Sequence, residues 1–238
     1  MRKISCQISF FISITLSSCG VLNKASKFQL SDGYYATKLK LSDNKVGKIY
    51  VQNSEDTLKI YETLKDRKSI AVDTSKKPEI FLKNQTNPYS SLVFRQPSLD
   101  IDFLTILLKY RPQIQGFPNQ LNTNLNGALY IGYRNDFYHI RYKKSPFTFS
   151  RYTTHYGFSF GTFAGLGATA INPSVTNNLI SSEYDGVIFT KGLAAIIGID
   201  AFTIGLTFGL DNLLDSNKKT WIYESKPWFG LAFGLNLN

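Results

Sequence analysis

The sequence predicts an all-β fold: a small antiparallel up-and-down β-barrel of about six to eight strands, preceded by a β-rich N-terminal region of short strands. Three observations lead there. In residues 200–238, Phe202, Ile204, Leu206, Phe208 and Leu210 alternate with Thr203, Gly205, Thr207 and Gly209, and Phe229, Leu231, Phe233, Leu235 and Leu237 alternate with Trp228, Gly230, Ala232, Gly234 and Asn236. A strand sends successive side chains to opposite faces, so each segment has one greasy face and one face of small, mildly polar residues. The second observation is a still longer alternation over residues 152–170, with Tyr152, Tyr156, Phe158, Phe160, Ala164 and Leu166 in one phase and His155, Gly157, Ser159, Gly161, Gly165 and Gly167 in the other. The third is a rhythm of short turns, at residues 134–136 and 200–201, and longer connections, at residues 172–183 and 212–226, as in outer-membrane barrels.

The start of the chain carries an export signal. Arg2 and Lys3 precede an apolar run, residues 8–16, too short to span a bilayer as a helix. Leu16, Ser17, Ser18 and Cys19 resemble a bacterial lipobox, in which cleavage precedes the cysteine and its thiol takes up diacylglycerol with acyl chains such as palmitate. Residues 1–18 are then a signal peptide, and the mature chain begins at lipidated Cys19. By resemblance to enteric sorting rules, Gly20 after the cysteine implies the outer membrane. Cys6 lies in the removed segment, so the exported chain has no second cysteine for a disulfide.

The net charge of +10 falls to about +8 once Arg2 and Lys3 leave, and implies attraction to anionic lipid or lipopolysaccharide headgroups. Nucleic acid is a poor partner for an exported protein. Lysines are frequent in residues 24–83 and sparse after residue 144, whereas the long alternations lie beyond residue 127. Composition thus separates a basic N-terminal region, residues 19–96, from a barrel region, residues 97–238.

Within the first region, residues 33–41, 46–52 and 57–61 read as strands joined by the turn-formers Ser42, Asp43 and Asn44 and Asn53, Ser54, Glu55 and Asp56. Residues 69–73 and 80–82 add shorter ones. The apolar run at residues 100–110 is assigned as a strand rather than a helix because Arg111 and Pro112 end it and its neighbours read β. Residues 113–126, rich in Asn with Gly116 and Pro118, form a loop. Leu129, Ile131 and Tyr133 alternate next, then the phase flips to Tyr138, Ile140 and Tyr142. A hairpin turn at Arg134, Asn135 and Asp136 accounts for the flip, as would a bulge in one long strand, and the hairpin is preferred.

Alternation alone leaves two barrels open. A soluble one turns its apolar face inward and carries Lys, Glu and Asp outside; a membrane one turns the apolar face to lipid. The second face here is mostly Gly, Ser, Thr and Ala, with few charges, and Tyr152, Tyr156, Trp221, Tyr223 and Trp228 lie near strand ends where an interfacial girdle would sit. Residues 116–132 (GFPNQLNTNLNGALYIG), 154–160 (THYGFSF), 180–187 (ISSEYDGV) and 221–238 (WIYESKPWFGLAFGLNLN) together resemble uncharacterised outer-membrane β-barrel proteins of Bacteroidetes-type bacteria. The resemblance covers about the second half of the chain. It implies an outer-membrane barrel and brings no activity, ligand or catalytic residue with it.

Chemistry is sparse. His139 and His155 are the only histidines, and no HExxH, P-loop, dinucleotide fingerprint or GxSxG elbow is present, so no cofactor, metal or catalytic site is expected. The sharpest enzyme hypothesis pairs His155 with Ser159 and takes Asp185 or Glu183 as an orienting carboxylate, in a lipid acyl hydrolase or acyltransferase. Four residues along a strand separate Cα atoms by about 13 Å, beyond direct hydrogen bonding. The expected role is therefore non-enzymatic: structural, binding or small-solute permeation. A periplasm-facing lipoprotein with a soluble ligand-binding barrel is the remaining alternative.

Overall fold

The computed structural model describes residues 29–235, apart from residues 39, 42–43, 46, 55–56, 66–69, 83–90, 115, 145, 147–148 and 201. The expected signal peptide, the expected lipidation site Cys19 and the last residues of the expected C-terminal strand lie outside the described residues.

The all-β, antiparallel class is as expected. Short strands open the chain: β1 (Gly33–Thr37), β2 (Lys40–Leu41), β3 (Asn44–Lys45), β4 (Lys48–Asn53), β5 (Thr57–Lys65), β6 (Ile70–Val72) and β7 (Glu79–Leu82). Long strands follow: β8 (Leu92–Arg111), the short β9 (Gln120–Asn122), β10 (Asn126–Lys144), β11 (Phe149–Ile171), β12 (Tyr184–Ile199), β13 (Phe202–Leu213) and β14 (Pro227–Leu235). Twelve strands form one sheet, and β2 and β3 form a separate hairpin. The sheet is larger than the expected six to eight strands. The N-terminal strands join this sheet: β1 hydrogen-bonds to β8, Ala36 opposite Arg95 and Thr37 opposite Phe94, and brings β4, β5, β6 and β7 with it. Strand β8 itself begins before residue 97 and carries the chain from one region into the other.

The six long strands pair in a circuit. Each of β10, β11, β12, β13 and β14 is antiparallel to the next, and β8 pairs with β14 on one side and β10 on the other. Connections alternate in length. The β10–β11 and β12–β13 turns are short and lie at one end, with Asp200 at φ 48° in the latter, the left-handed conformation tight hairpins require. Residues 112–125, 172–183 and 214–226 form the longer connections at the opposite end. The second of these holds a 3-10 turn, Pro173–Thr176, whose Asn172 side chain accepts a hydrogen bond from the Val175 amide.

The hairpin expected at residues 134–136 is not formed. Strand β10 runs through it, in unbroken register with β11 from Asn126 opposite Gly167 to Lys144 opposite Phe149. The backbone phase is constant and the surroundings change. Leu129, Ile131 and Tyr133 point outward and are exposed; Tyr138 and Ile140 point inward and are buried. They pack with Leu92 and Phe94 of β8 against Tyr35, Ile49, Val51, Leu58, Ile60 and Phe81 of the short strands. Strands β8, β10 and β11 project beyond the β12–β13 turn, and the N-terminal sheet folds over this projection. Arg151 of β11 donates to Asn53 Oδ1 at 2.9 Å and ties the far side of the sheet down.

Leu58 is fully buried at the centre of this cluster. Leu58→Ala is expected to cost about 2–5 kcal/mol, the range for deleting a buried leucine side chain. Limited proteolysis should then cut the N-terminal region selectively, because the circuit does not use Leu58.

Candidate functional site

The two faces of the circuit have opposite characters. Outward positions are large and apolar: Leu99, Ile101 and Phe103 on β8, Phe158 and Phe160 on β11, Ile197 and Ile199 on β12, Phe229 and Phe233 on β14, all exposed. On β13 the contrast is sharpest, with Phe202 at 71% and Leu206 at 64% exposure beside Thr203 at 7% and Thr207 at 4%. A contiguous apolar surface of this kind is rare on a soluble monomer.

Inside, apolar and ionic layers alternate. Leu104, Ile106, Ala128, Tyr130, Phe163, Ala194, Ile196, Trp228 and Ala232 fill the middle. Glycines opposite the large rings make room for them: a Cβ at Gly209 would fall within the Trp228 indole, and one at Gly132 would meet the Tyr130 ring. On one side of this layer lies a cluster of Asp100, Arg134, Asp136 and His155. Arg134 Nε donates to Asp136 Oδ1 at 2.8 Å, His155 Nε2 lies 2.6 Å from the same oxygen, and Arg134 Nη1 stands 3.8 Å from Asp100 Oδ2. On the other side, Asp211 accepts from Lys109 Nζ at 3.0 Å and from Arg111 Nη2 at 2.5 Å. All of these residues are nearly or fully buried. Lys109 also lies 4.4 Å from the Trp228 ring centroid, and Arg111 stacks over Trp221 and Tyr223 at 5.1 and 4.9 Å.

A β-bulge makes the second ionic layer. Opposite β14, Leu231 pairs with Leu108 and Ala232 with Ile106, so one residue of β8 is unpaired and the phase shifts. Without that shift Lys109 and Arg111 would continue the outward set of Leu99, Ile101 and Phe103. With it they turn inward to Asp211. Beyond them Ile171, Val175, Ile188, Leu213, Trp221, Ile222 and Tyr223 close that end.

Three expectations are corrected here. The inner face is not poor in charge: Arg134 and Asp136, expected in a turn, and Asp211, expected just before the 212–226 connection, all point inward, and the two-residue period carries no signal for the bulge. Trp221, Tyr223 and Trp228 are not an outer girdle; they are buried inside, whereas Tyr152 and Tyr156 are exposed. The carboxylate that meets His155 is Asp136 and neither Asp185 nor Glu183. Asp185 pairs with Ala170, about 50 Å of strand away from His155. Ser159 Oγ shares a 2.7 Å hydrogen bond with Tyr130 Oη, and both Ser159 and His155 are buried. The structure brings these two side chains into neighbouring hydrogen-bonded pairs, enclosed by protein.

No family model, no curated protein and no solved structure matches the chain. Among the described residues no group of three or more His, Cys, Asp or Glu is placed to hold a metal ion, and no helix is long and apolar enough to cross a membrane, which says nothing of crossing by strands.

Asp211 compensates two buried cations, so Asp211→Asn is expected to destabilise by about 3–5 kcal/mol, the range for breaking a buried ion pair by removing one partner. Asp185→Asn, at an exposed position, is expected to stay within about 0.5 kcal/mol. Urea unfolding of the detergent-solubilised protein distinguishes them.

Proposed function

We propose that the chain is a lipid-anchored outer-membrane protein whose six-strand circuit is a small transmembrane β-barrel, and that it acts as a structural or binding component of that membrane. The observation that carries this is the outward apolar face on all six strands around an inner face of paired charges and small residues. A soluble barrel has the reverse arrangement. The apolar positions from Phe202 to Leu210 cover about 27 Å of strand, which a tilt of 35–45° reduces to about 20 Å of depth, close to the apolar band of such barrels. The resemblance of residues 116–132, 154–160, 180–187 and 221–238 to outer-membrane barrels of Bacteroidetes-type bacteria agrees with this reading, as does the lipobox at Cys19.

The short turns at the β10–β11 and β12–β13 junctions mark the periplasmic end by the usual asymmetry of these barrels. The N-terminal sheet is at that end and would extend into the periplasm. Permeation is the weaker role. A barrel of about eight strands is already filled by its own side chains, and here Trp228, Tyr130, Phe163 and two ionic layers occupy the interior. Lipid hydrolysis is weaker still, because Ser159 and His155 face this packed interior and not the lipid.

A lysine at Ile204, on the outer face, is expected to disfavour insertion into vesicles by about 2–4 kcal/mol at mid-depth. Unimpaired insertion of Ile204→Lys, read by heat-modifiable migration on gels, would count against the membrane barrel. The anchor is tested separately: Cys19→Ser should abolish incorporation of a fatty-acid probe, and unchanged labelling would exclude the lipobox.

A further inference from the structure

Just below the apolar belt, β1 leaves the sheet. It pairs with β8 at only two positions, Ala36 with Arg95 and Thr37 with Phe94, and its other edge follows β4. The divergence opens a cavity of about 700 Å³ on the outer surface, lined by Thr37, Lys38, Val93, Arg95 and Phe137 among others. A second recess of about 600 Å³ adjoins it, sharing Ala36 and Arg95 and adding Lys48 and Pro97. Three cations therefore border two adjoining recesses, with Arg95 common to both. Asn135 accepts from Arg95 Nε at 2.8 Å and fixes the guanidinium at the wall. Among the described residues, no ion pair involves Lys38, Lys48 or Arg95.

The recesses are continuous with the belt. Phe137 lies opposite Arg95 in the β8–β10 register and its ring is 6.2 Å from that of Phe158. From Arg95 the outward positions of β8 run through Pro97 to Leu99, Ile101 and Phe103. Arg95 precedes Leu99 by four residues, about 13 Å along the strand and about 10 Å in depth once tilted. That distance is within the headgroup layer and within reach of a long basic side chain. The Thr37 hydroxyl donates to the Val93 carbonyl at 3.1 Å, and the guanidinium and ammonium donors beside an apolar wall match an amphiphile with a phosphate at one end.

We propose that this pair of recesses binds the phosphodiester of an anionic phospholipid, with Arg95, Lys38 and Lys48 around the phosphate and the acyl chains lying over Phe137, Phe158 and Leu99. The assignment rests on the membrane reading above, and the position of the N-terminal sheet makes the periplasmic leaflet its source. Cations at a membrane face strengthen attraction to anionic lipid by about fivefold each.

The test uses the full chain in dodecyl maltoside micelles, offered equimolar phosphatidylglycerol and phosphatidylcholine, with bound lipid counted by native mass spectrometry. A preference for phosphatidylglycerol of about tenfold or more is expected, falling to parity in the triple variant Lys38→Gln, Lys48→Gln, Arg95→Gln. Lys191→Gln, exposed near the opposite end, should retain the full preference. Parity in the unmodified protein, or a preference that survives the triple substitution, overturns the assignment. Complete displacement of phosphatidylglycerol by millimolar inorganic phosphate also overturns it, in favour of a free-phosphate site. Insertion of the same preparation into vesicles is followed in parallel. A protein that inserts without lipid preference refutes the recess alone, and one that fails to insert refutes the membrane reading with it.

Discussion

Strand β8 is hydrogen-bonded on both edges along the circuit, and the arrangement of the other long strands depends on that. A sheet that ended at β10 or β14 would leave a row of unpaired N–H and C=O groups, costly in water through aggregation and prohibitive in hydrocarbon. Closure through β8 removes both edges and forces one face of every long strand inward. An interior bounded by six strands is narrow, so glycine must stand wherever Trp228, Tyr130 or Arg134 crosses it. Charged groups that enter are held by one another, whereas Thr203 Oγ1, Thr207 Oγ1 and Trp228 Nε1 are buried without a hydrogen-bond partner among the described residues. The compact sharing of Asp211 by Lys109 and Arg111, and of Asp136 by Arg134 and His155, follows from the same geometry.

The chemical meaning of inward and outward changes along the strands. At the level of β12 and β13, large apolar side chains face out, and the inner face alternates apolar residues such as Ile196 and Trp228 with polar ones such as Thr203, Thr207 and Asp211. At the level of the N-terminal sheet the order reverses: Leu92, Phe94, Tyr138 and Ile140 face in, and Arg95, His139 and Arg141 face out. The boundary coincides with the Arg134, Asp136 and His155 cluster and with the β12–β13 turn, where the Asp200 and His155 backbones hydrogen-bond. One strand thus serves two environments without a bend, because only the partners of its two faces change.

Much of this was legible in the residues. The long strands were legible in their two-residue period and several short ones in turn-formers such as Asn53 and Ser54. The β2–β3 hairpin was not, nor was β9, which lies in the Asn-rich stretch expected as a loop. The outward phase of Phe202, Ile204, Leu206 and Phe208 was legible as a distinct greasy face. What period alone could not carry was context. The apolar set shifts from Tyr133 to Tyr138 whether a chain turns or merely passes from one environment into another. Arg111 read as the end of a strand, and Lys109 had no reading of its own within the apolar run, because a one-residue bulge leaves no compositional trace. Trp221, Tyr223 and Trp228 have the amphipathic character of interfacial aromatics, and only the cations beside them show why they are inside. The joining of the N-terminal strands to β8 was equally hidden, since pairing between segments distant in sequence is not written in either one.

The ladders of the circuit are unequal. Nineteen positions of β10 are in register with β11, whereas β14 meets β8 at five, broken by the bulge between Leu231 and Ala232. That seam joins segments more than a hundred residues apart, so forming it carries the largest loop-closure entropy of any pairing in the circuit while returning the fewest hydrogen bonds. Hairpin-by-hairpin growth from β10 to β14 can proceed locally, and the sheet then exists as an open ribbon until β14 reaches β8. The ladder lengths favour zippering before cyclisation, and they make the β8–β14 seam the weakest join of the ring.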